Sequence, residues 1–236
     1  MLAIINKLTI NVEYNQQIKT MKILNLYACL GGNRYKWGDE HEITAVELDT
    51  EAARLYQERF PNDTVIVADA HQYLLDHYKE FDFIWSSPPC PTHSGTNHFL
   101  NAQGIIRYPD MKLYEEIILL KTFFKGKYVI ENVIPYYEPL IMAQKRERHL
   151  YWTNFTIPTI LSERVAPNMN MNTKSKGVAE AFMEFHNITE LLKKYKGSQD
   201  KGKMARNLVD YEAGKTILDT AMGIIKSQNV NQTELF

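Results

Sequence analysis

The chain has 236 residues, 44% of them hydrophobic, with 27 Lys and Arg against 28 Asp and Glu. That is enough for one sizeable α/β core with a modest accessory region, and too little for two full domains. Its two cysteines, Cys29 and Cys90, argue against a disulfide framework and against a zinc site built on several thiolates, which fits a reducing, cytoplasmic setting. No run approaches the ~20 apolar residues of a membrane span.

Positions 1–20 read as an arm or extra leader, because Met21 stands directly before the first convincing strand. From there short apolar runs alternate with helical patterns, which predicts a parallel sheet covered by helices on both faces. Lys22–Tyr27 (KILNLY) is the first expected strand, ended by Gly31-Gly32. Ile43–Leu48 is the second, followed by a helix that Asp49 caps. Val65–Ala68 is the third. Phe81–Trp85 is the fourth and runs into Ser86-Ser87-Pro88-Pro89, where the prolines forbid further pairing and force a loop that holds Cys90.

A helix is expected over Asp110–Phe124, from the spacing of Leu113, Ile117, Leu120 and Phe124, and a fifth strand over Lys127–Glu131. Cys90 and Glu131 then both lie at carboxyl ends of strands, the edge where open α/β sheets place ligands. Residues 153–206 break the rhythm and read as an insertion with a helix from Ala179 to about Lys196 and a polar linker after it. Residues 207–228 return to helical character, and 229–236 form a tail. A basic surplus sits in the second part, where positions 141–236 hold 14 Lys and Arg against 10 Asp and Glu. This charge favours a polyanion partner.

A nucleoside cofactor needs close backbone approach at the first turn, a carboxylate for its ribose and an acceptor for its adenine amine. Tyr27, Gly31-Gly32, Glu47 and Asp69 supply these in order, although Glu47 and Asp69 also have the positions of simple helix caps. His93 and His98 flank a loop of small residues, but two histidines without a third ligand do not make a metal site, and none is expected.

In sequence order, NLYACLGG (25–32), AVELD (45–49), VADA (67–70), SSPPC (86–90), ENV (131–133) and QKRER (144–148) together resemble the DNA cytosine C5 methyltransferase family over residues 22–152. The resemblance implies a Rossmann-like sheet that binds S-adenosylmethionine and releases S-adenosylhomocysteine. Cofactor contacts are expected from Tyr27, Leu30, Gly31, Gly32, Glu47, Leu48, Asp69, Ala70 and Pro89. It further implies that Cys90 attacks carbon 6 of a flipped-out cytosine while Glu131 steadies the ring, with Asn132 keeping that carboxylate aimed. Arg148 is expected near the base carbonyl and the thiolate, and Arg146 as a loop brace or phosphate contact.

The implied partner is double-stranded DNA, in a modification system of a bacterial or phage-infected cell. The chain departs from the family at Cys29, where glycine is usual, at Asn25, and at Pro91-Thr92-His93-Ser94 after the nucleophile. The recognition-like region 153–206 is small, which implies a very short target, self-association or a partner. Two other enzyme readings are a transfer-RNA cytosine methyltransferase with the same site, and an exocyclic amino methyltransferase, whose loop requires an aromatic residue where Cys90 stands. A third reading is a non-catalytic cofactor-binding subunit. The tail residues Gln232, Leu235 and Phe236 resemble a peptide that docks into the replication sliding clamp.

Overall fold

A computed structural model describes residues 20–167 and 176–225. The expected arm, apart from its last residue, and the Gln232, Leu235, Phe236 tail lie outside the described residues.

Seven strands form one sheet: β1 Lys22–Leu26, β2 Glu42–Glu47, β3 Thr64–Val67, β4 Phe83–Ser86, β5 Lys127–Val133, β6 Gln144–Arg146 and β7 His149–Thr153, in the order β3-β2-β1-β4-β5-β7-β6. The first five run parallel, while β7 pairs antiparallel with both β5 and β6. The sheet is therefore mixed, a correction to the all-parallel expectation. The β6–β7 hairpin escaped notice because β6 is three polar residues long and carries no alternating apolar signal. Its two-residue turn is set by Glu147, whose φ is 48°.

Successive residues on the central strands feed opposite faces, as the period of two requires. Leu24, Ile84 and Ile130 pack on one face with Leu74, Leu113, Ile117 and Leu120. The last four residues come from α2 (Ala70–His77) and α4 (Lys112–Phe123). Ile23, Phe83, Trp85 and Val129 pack on the other face with Trp37, Ile217 and Leu218, the last two from α8 (Tyr211–Ala221). Between them, α1 (Thr50–Arg59) and α3 (Asn97–Ala102) complete the first half of the chain. Asp49 and Asp69 cap α1 and α2 by accepting backbone N–H bonds, each cap contributing about 1 kcal/mol.

The helix expected over 179–196 is instead two, α5 (Lys176–Phe185) and α6 (Thr189–Lys193). Asn187 breaks them apart with a φ of 54°, a conformation that asparagine tolerates. Part of the expected polar linker is α7 (Lys201–Asn207), capped by Asp200. Phe182, Ile188, Leu192, Tyr195 and Met204 from this region pack on Leu30, Ala52 and Leu55. Tyr195 and Gln199 both donate to Asp49, at 2.7 Å. The accessory helices thus sit against α1 and the first turn of the chain. Among the described residues no helix is long and apolar enough to cross a membrane.

Helix α8 reaches the first turn through a glycine. A Cβ on Gly214 would lie 2.2 Å from the carbonyl oxygen of Asn33, and Trp37 donates to the Gly214 carbonyl at 3.1 Å. Gly214→Ala is expected to destabilise the protein by about 1–3 kcal/mol through this overlap. Urea unfolding checks it, and an unchanged midpoint would show that α8 does not need this close approach.

Candidate active site

The chain winds from β1 outward to β2 and β3, then crosses back to β4 and β5. A crevice therefore opens above the carboxyl ends of β1 and β4, the place where open sheets of this type bind ligands. The residues singled out in the sequence fall along this edge.

On the β1 side the turn is wound tightly. Tyr27, Cys29 and Gly31 have φ of 55°, 45° and 68°, a left-handed region that disfavours side chains. Glycine is required at position 31, where a Cβ would come within 2.4 Å of the Phe60 ring. The Cys29 conformation also explains in physical terms why glycine suits that position. Glu47, at the end of β2, accepts from the Cys29 N–H at 2.8 Å and the Asp49 N–H at 2.9 Å. Burial raises the pKa of its carboxyl group, against these backbone bonds. Each oxygen retains a second lone pair, so the residues present fit a cofactor with a vicinal diol.

Beside Glu47, Leu48 is exposed. Asp69 is exposed as well, caps α2 through one oxygen and has Lys112 at 3.7 Å from the other. Leu30, Gly32 and Ala70 are buried beneath the turn, and Pro89 is exposed.

On the β4 side, Ser86 pairs with Ile130 of β5, so the nucleophile loop leaves the sheet next to Glu131. The Pro88 carbonyl accepts from Asn132 Nδ2 at 3.0 Å. Asn132 therefore fixes the loop rather than bonding the Glu131 carboxylate. Strand β5 continues past Glu131 to Val133, because β7 pairs with it that far. This places Glu131 inside a strand and corrects the expected boundary. Glu131 is 8% exposed, with His149 Nε2 at 3.5 Å.

Burial raises the Cys90 thiol pKa and the Glu131 charge adds to the rise, while a backbone hydrogen bond and Lys203 oppose it. Cys29 is pushed up to about 12, chiefly by burial.

The two arginines separate. Arg146 donates to the carbonyls of Pro158, Ile157 and Lys145 at 2.6, 2.7 and 2.8 Å, which makes it a brace. Arg148 is exposed and, with Glu131 and His149, lines a pocket between the hairpin, α5 and the start of α8. Lys203 of α7 is the positive charge that opposes the rise at Cys90, as the smallest of its causes, and it lies in a stretch read from the sequence as a linker. Also missed was Glu116, fully buried on α4. It accepts from Tyr27 Oη at 2.7 Å and Ser86 Oγ at 2.6 Å. Its signal was a charge inside the apolar stripe of Leu113, Ile117 and Leu120.

His93 is buried, with Nδ1 2.6 Å from the Tyr137 hydroxyl. Among the described residues no group of three or more His, Cys, Asp or Glu is arranged to hold a metal ion.

The family model for C-5 cytosine-specific DNA methylase matches residues 21–134. The chain is similar to that family over those residues. The match spans the cofactor turn, the nucleophile loop and Glu131, and the chain has the fold of an S-adenosylmethionine-dependent methyltransferase of the C5 type.

Solved structures similar to this chain include an Entamoeba histolytica methyltransferase, EhMeth, with 9% identity and a TM-score of 0.49 over 89% of this chain and 100% of that one. A mutant of Spodoptera frugiperda DNMT2 has 25% identity and a TM-score of 0.34 over 48% of this chain and 36% of that one. A putative DNA modification methyltransferase encoded within an Escherichia coli prophage has 18% identity and a TM-score of 0.34 over 49% and 33%. None of the curated proteins matches the sequence.

Alkylation of the free protein tests the thiol electrostatics. Iodoacetamide is expected to modify Cys90 well ahead of Cys29, because the thiolate is the nucleophile and Cys29 ionises only near pH 12. Lys203→Ala removes a positive charge that favours the Cys90 thiolate, so the pH profile of Cys90 alkylation should move to higher pH. Mass spectrometry of both peptides across pH reads the result, and a profile that stays in place would remove Lys203 from the site.

Proposed function

We propose that the chain methylates carbon 5 of cytosine in a nucleic acid, with Cys90 as nucleophile and Glu131 as the acid that activates the ring. The observation that carries this reading is the placement of Cys90 and Glu131 at neighbouring parallel strands, with Asn132 holding the nucleophile loop to the acid strand at 3.0 Å. Cytosine carbon 5 is a poor nucleophile until sulfur adds to carbon 6. Addition of the Cys90 thiolate there moves electron density into the ring, and the Glu131 carboxyl group, hydrogen-bonded at the ring nitrogen, steadies the developing charge.

When bound, S-adenosylmethionine supplies the electrophilic methyl group. Glu47 would take the ribose hydroxyls, Leu48 would offer apolar surface to the adenine, and Asp69 its amine. Leu30, Gly31, Gly32, Ala70 and Pro89 would shape the rest of the pocket. Loss of the carbon 5 proton to water then expels the thiolate and regenerates Cys90. Arg148 at the pocket mouth would contact the base carbonyl.

Duplex DNA, within a restriction-modification or solitary modification setting, is the substrate that the order of motifs favours. The base must be turned out of the stack at a cost of a few kcal/mol. Phe99, Ile106 and Tyr108, exposed in the segment after the nucleophile loop, would offer apolar surface to the disturbed strand.

A specific observation favours a second reading, a structured RNA. The 176–207 helices are packed on α1 and the first turn rather than held out as a separate reader of a major groove, and RNA is recognised largely by shape and unstacked bases. For either substrate the recognition region is small, so self-association or a further subunit would extend it.

The test is adduct trapping with the purified chain, cofactor, and duplex DNA or transfer RNA carrying 5-fluorocytosine, which cannot lose the carbon 5 substituent as a proton. A denaturation-resistant adduct at Cys90 is expected, on the true substrate only. Cys90→Ser should abolish it, and Glu131→Gln should slow methylation by about 100-fold or more. Methyl transfer without an adduct would point to exocyclic amino chemistry, and cofactor binding with no transfer to either substrate to a non-catalytic subunit.

A further inference from the structure

Glu116 is a carboxylate with no exposed surface, in a helix whose neighbouring residues are core. Burying a carboxyl group there is costly unless its oxygens are fully bonded, and an apolar residue of similar size serves a core at least as well. What the carboxylate does is gather three distant segments. Oε1 accepts from the Tyr27 phenol, 89 residues away, at 2.7 Å. Oε2 accepts from the Ser86 hydroxyl, 30 residues away, at 2.6 Å. His71 Nδ1 lies 3.1 Å from Oε1, and His71 Nε2 lies 3.1 Å from Glu115, so the ring spans both acids beside the Asp69 cap. The Glu116 bond favours the protonated ring and raises the His71 pKa.

Each partner leads to a different part of the site. Tyr27 opens the left-handed cofactor turn, and its φ of 55° is a conformation that a residue with a side chain adopts only under strain. Its phenol bond fixes that strained residue from outside the turn. Ser86 is the last residue of β4, after which the chain becomes the nucleophile loop. His71 stands in the first turn of α2, next to Ala70. At 2.7 and 2.6 Å the phenol and hydroxyl bonds lie at the short end of O–H···O geometry.

We propose that Glu116 is a positioning residue, through which the cofactor turn and the strand that carries the nucleophile are held in one fixed relation. It touches neither cofactor nor base. It acts by sharing one carboxylate between Tyr27 and Ser86, so that loosening either side loosens the other. The inference rests on the methyltransferase reading, and equilibrium binding of S-adenosylhomocysteine, which needs no turnover, separates the two.

Calorimetric titration of S-adenosylhomocysteine into the whole chain should show Tyr27→Phe and Glu116→Gln each weakening binding about tenfold. The double variant should be no weaker than Glu116→Gln alone, because an amide has one acceptor oxygen where the carboxylate has two and the tie between Tyr27 and Ser86 is already broken. Ser86→Ala lies outside the cofactor turn, yet it should weaken binding roughly threefold in the wild-type background and not at all with Glu116→Gln. With nucleic-acid substrate the KM for S-adenosylmethionine should rise in the same order while that for nucleic acid stays put.

Equal affinities across the folded variants, even with lowered melting points, would overturn the proposal by reducing Glu116 to a structural residue. Multiplying losses in the double variants would overturn it too. Should Glu116→Gln not fold, the coupling between Tyr27→Phe and Ser86→Ala decides, non-additive in support and additive against. Failure of the wild-type chain itself to bind S-adenosylhomocysteine would instead sink the methyltransferase reading, and this inference with it.

Discussion

The site depends on one hydrogen bond, from the Asn132 amide to the carbonyl of Pro88. Two consecutive prolines remove two backbone donors from the loop after β4, so the loop cannot fasten itself to the sheet through a ladder of its own. The buried carbonyl needs a donor from elsewhere, and the side chain next to Glu131 provides it. The position of Cys90 is thereby defined relative to the acid strand rather than to its own. Parallel pairing of β4 with β5 brings the two chain segments together, and Asn132 removes the slack that a proline loop would otherwise keep.

The opposite wall of the crevice works by strain instead of pairing. Three left-handed residues within five positions draw the first turn close to the sheet edge, and Glu47 stabilises the fold of that turn by accepting the Cys29 N–H. Beneath it, Arg34 is buried with Asp63 in a two-point ion pair at 2.9 Å, joined by the Tyr56 hydroxyl at 2.8 Å. Burial without this pairing would be costly for either ion. The turn therefore stands on a rigid polar base, with the Phe60 ring filling the space that Gly31 leaves open.

Much of this was legible in the sequence because it was written in strong local signals. The apolar runs of β1, β2, β4 and β5, the Asp49 cap and the Pro88-Pro89 break each have a direct physical meaning. After Gly32 the chain forms only a short 3-10 turn at Asn33–Lys36. What escaped has a different character. The β6–β7 hairpin is held by its edge pairing with β5 and by Gln144 and Arg146 bonding to nearby carbonyls, contacts that no periodicity encodes. The bond from Asn132 to the Pro88 carbonyl depends on which way a loop folds back. Lys203 and Glu116 owe their places to packing between segments far apart in sequence. Neither carries a motif, though a glutamate in an apolar stripe is a flag that pattern reading does provide.

The sheet ends on both sides in very short strands. β3 has four residues and β6 three, and Lys145, in the middle of β6, is exposed. Margins this brief, with a charged residue only on the β6 side, offer too few unsatisfied amides to template a foreign strand. Growth of the sheet from one molecule into the next is thus disfavoured at either border. Any assembly of several copies would be built more readily through helices and loops, leaving the crevice at the strand ends clear.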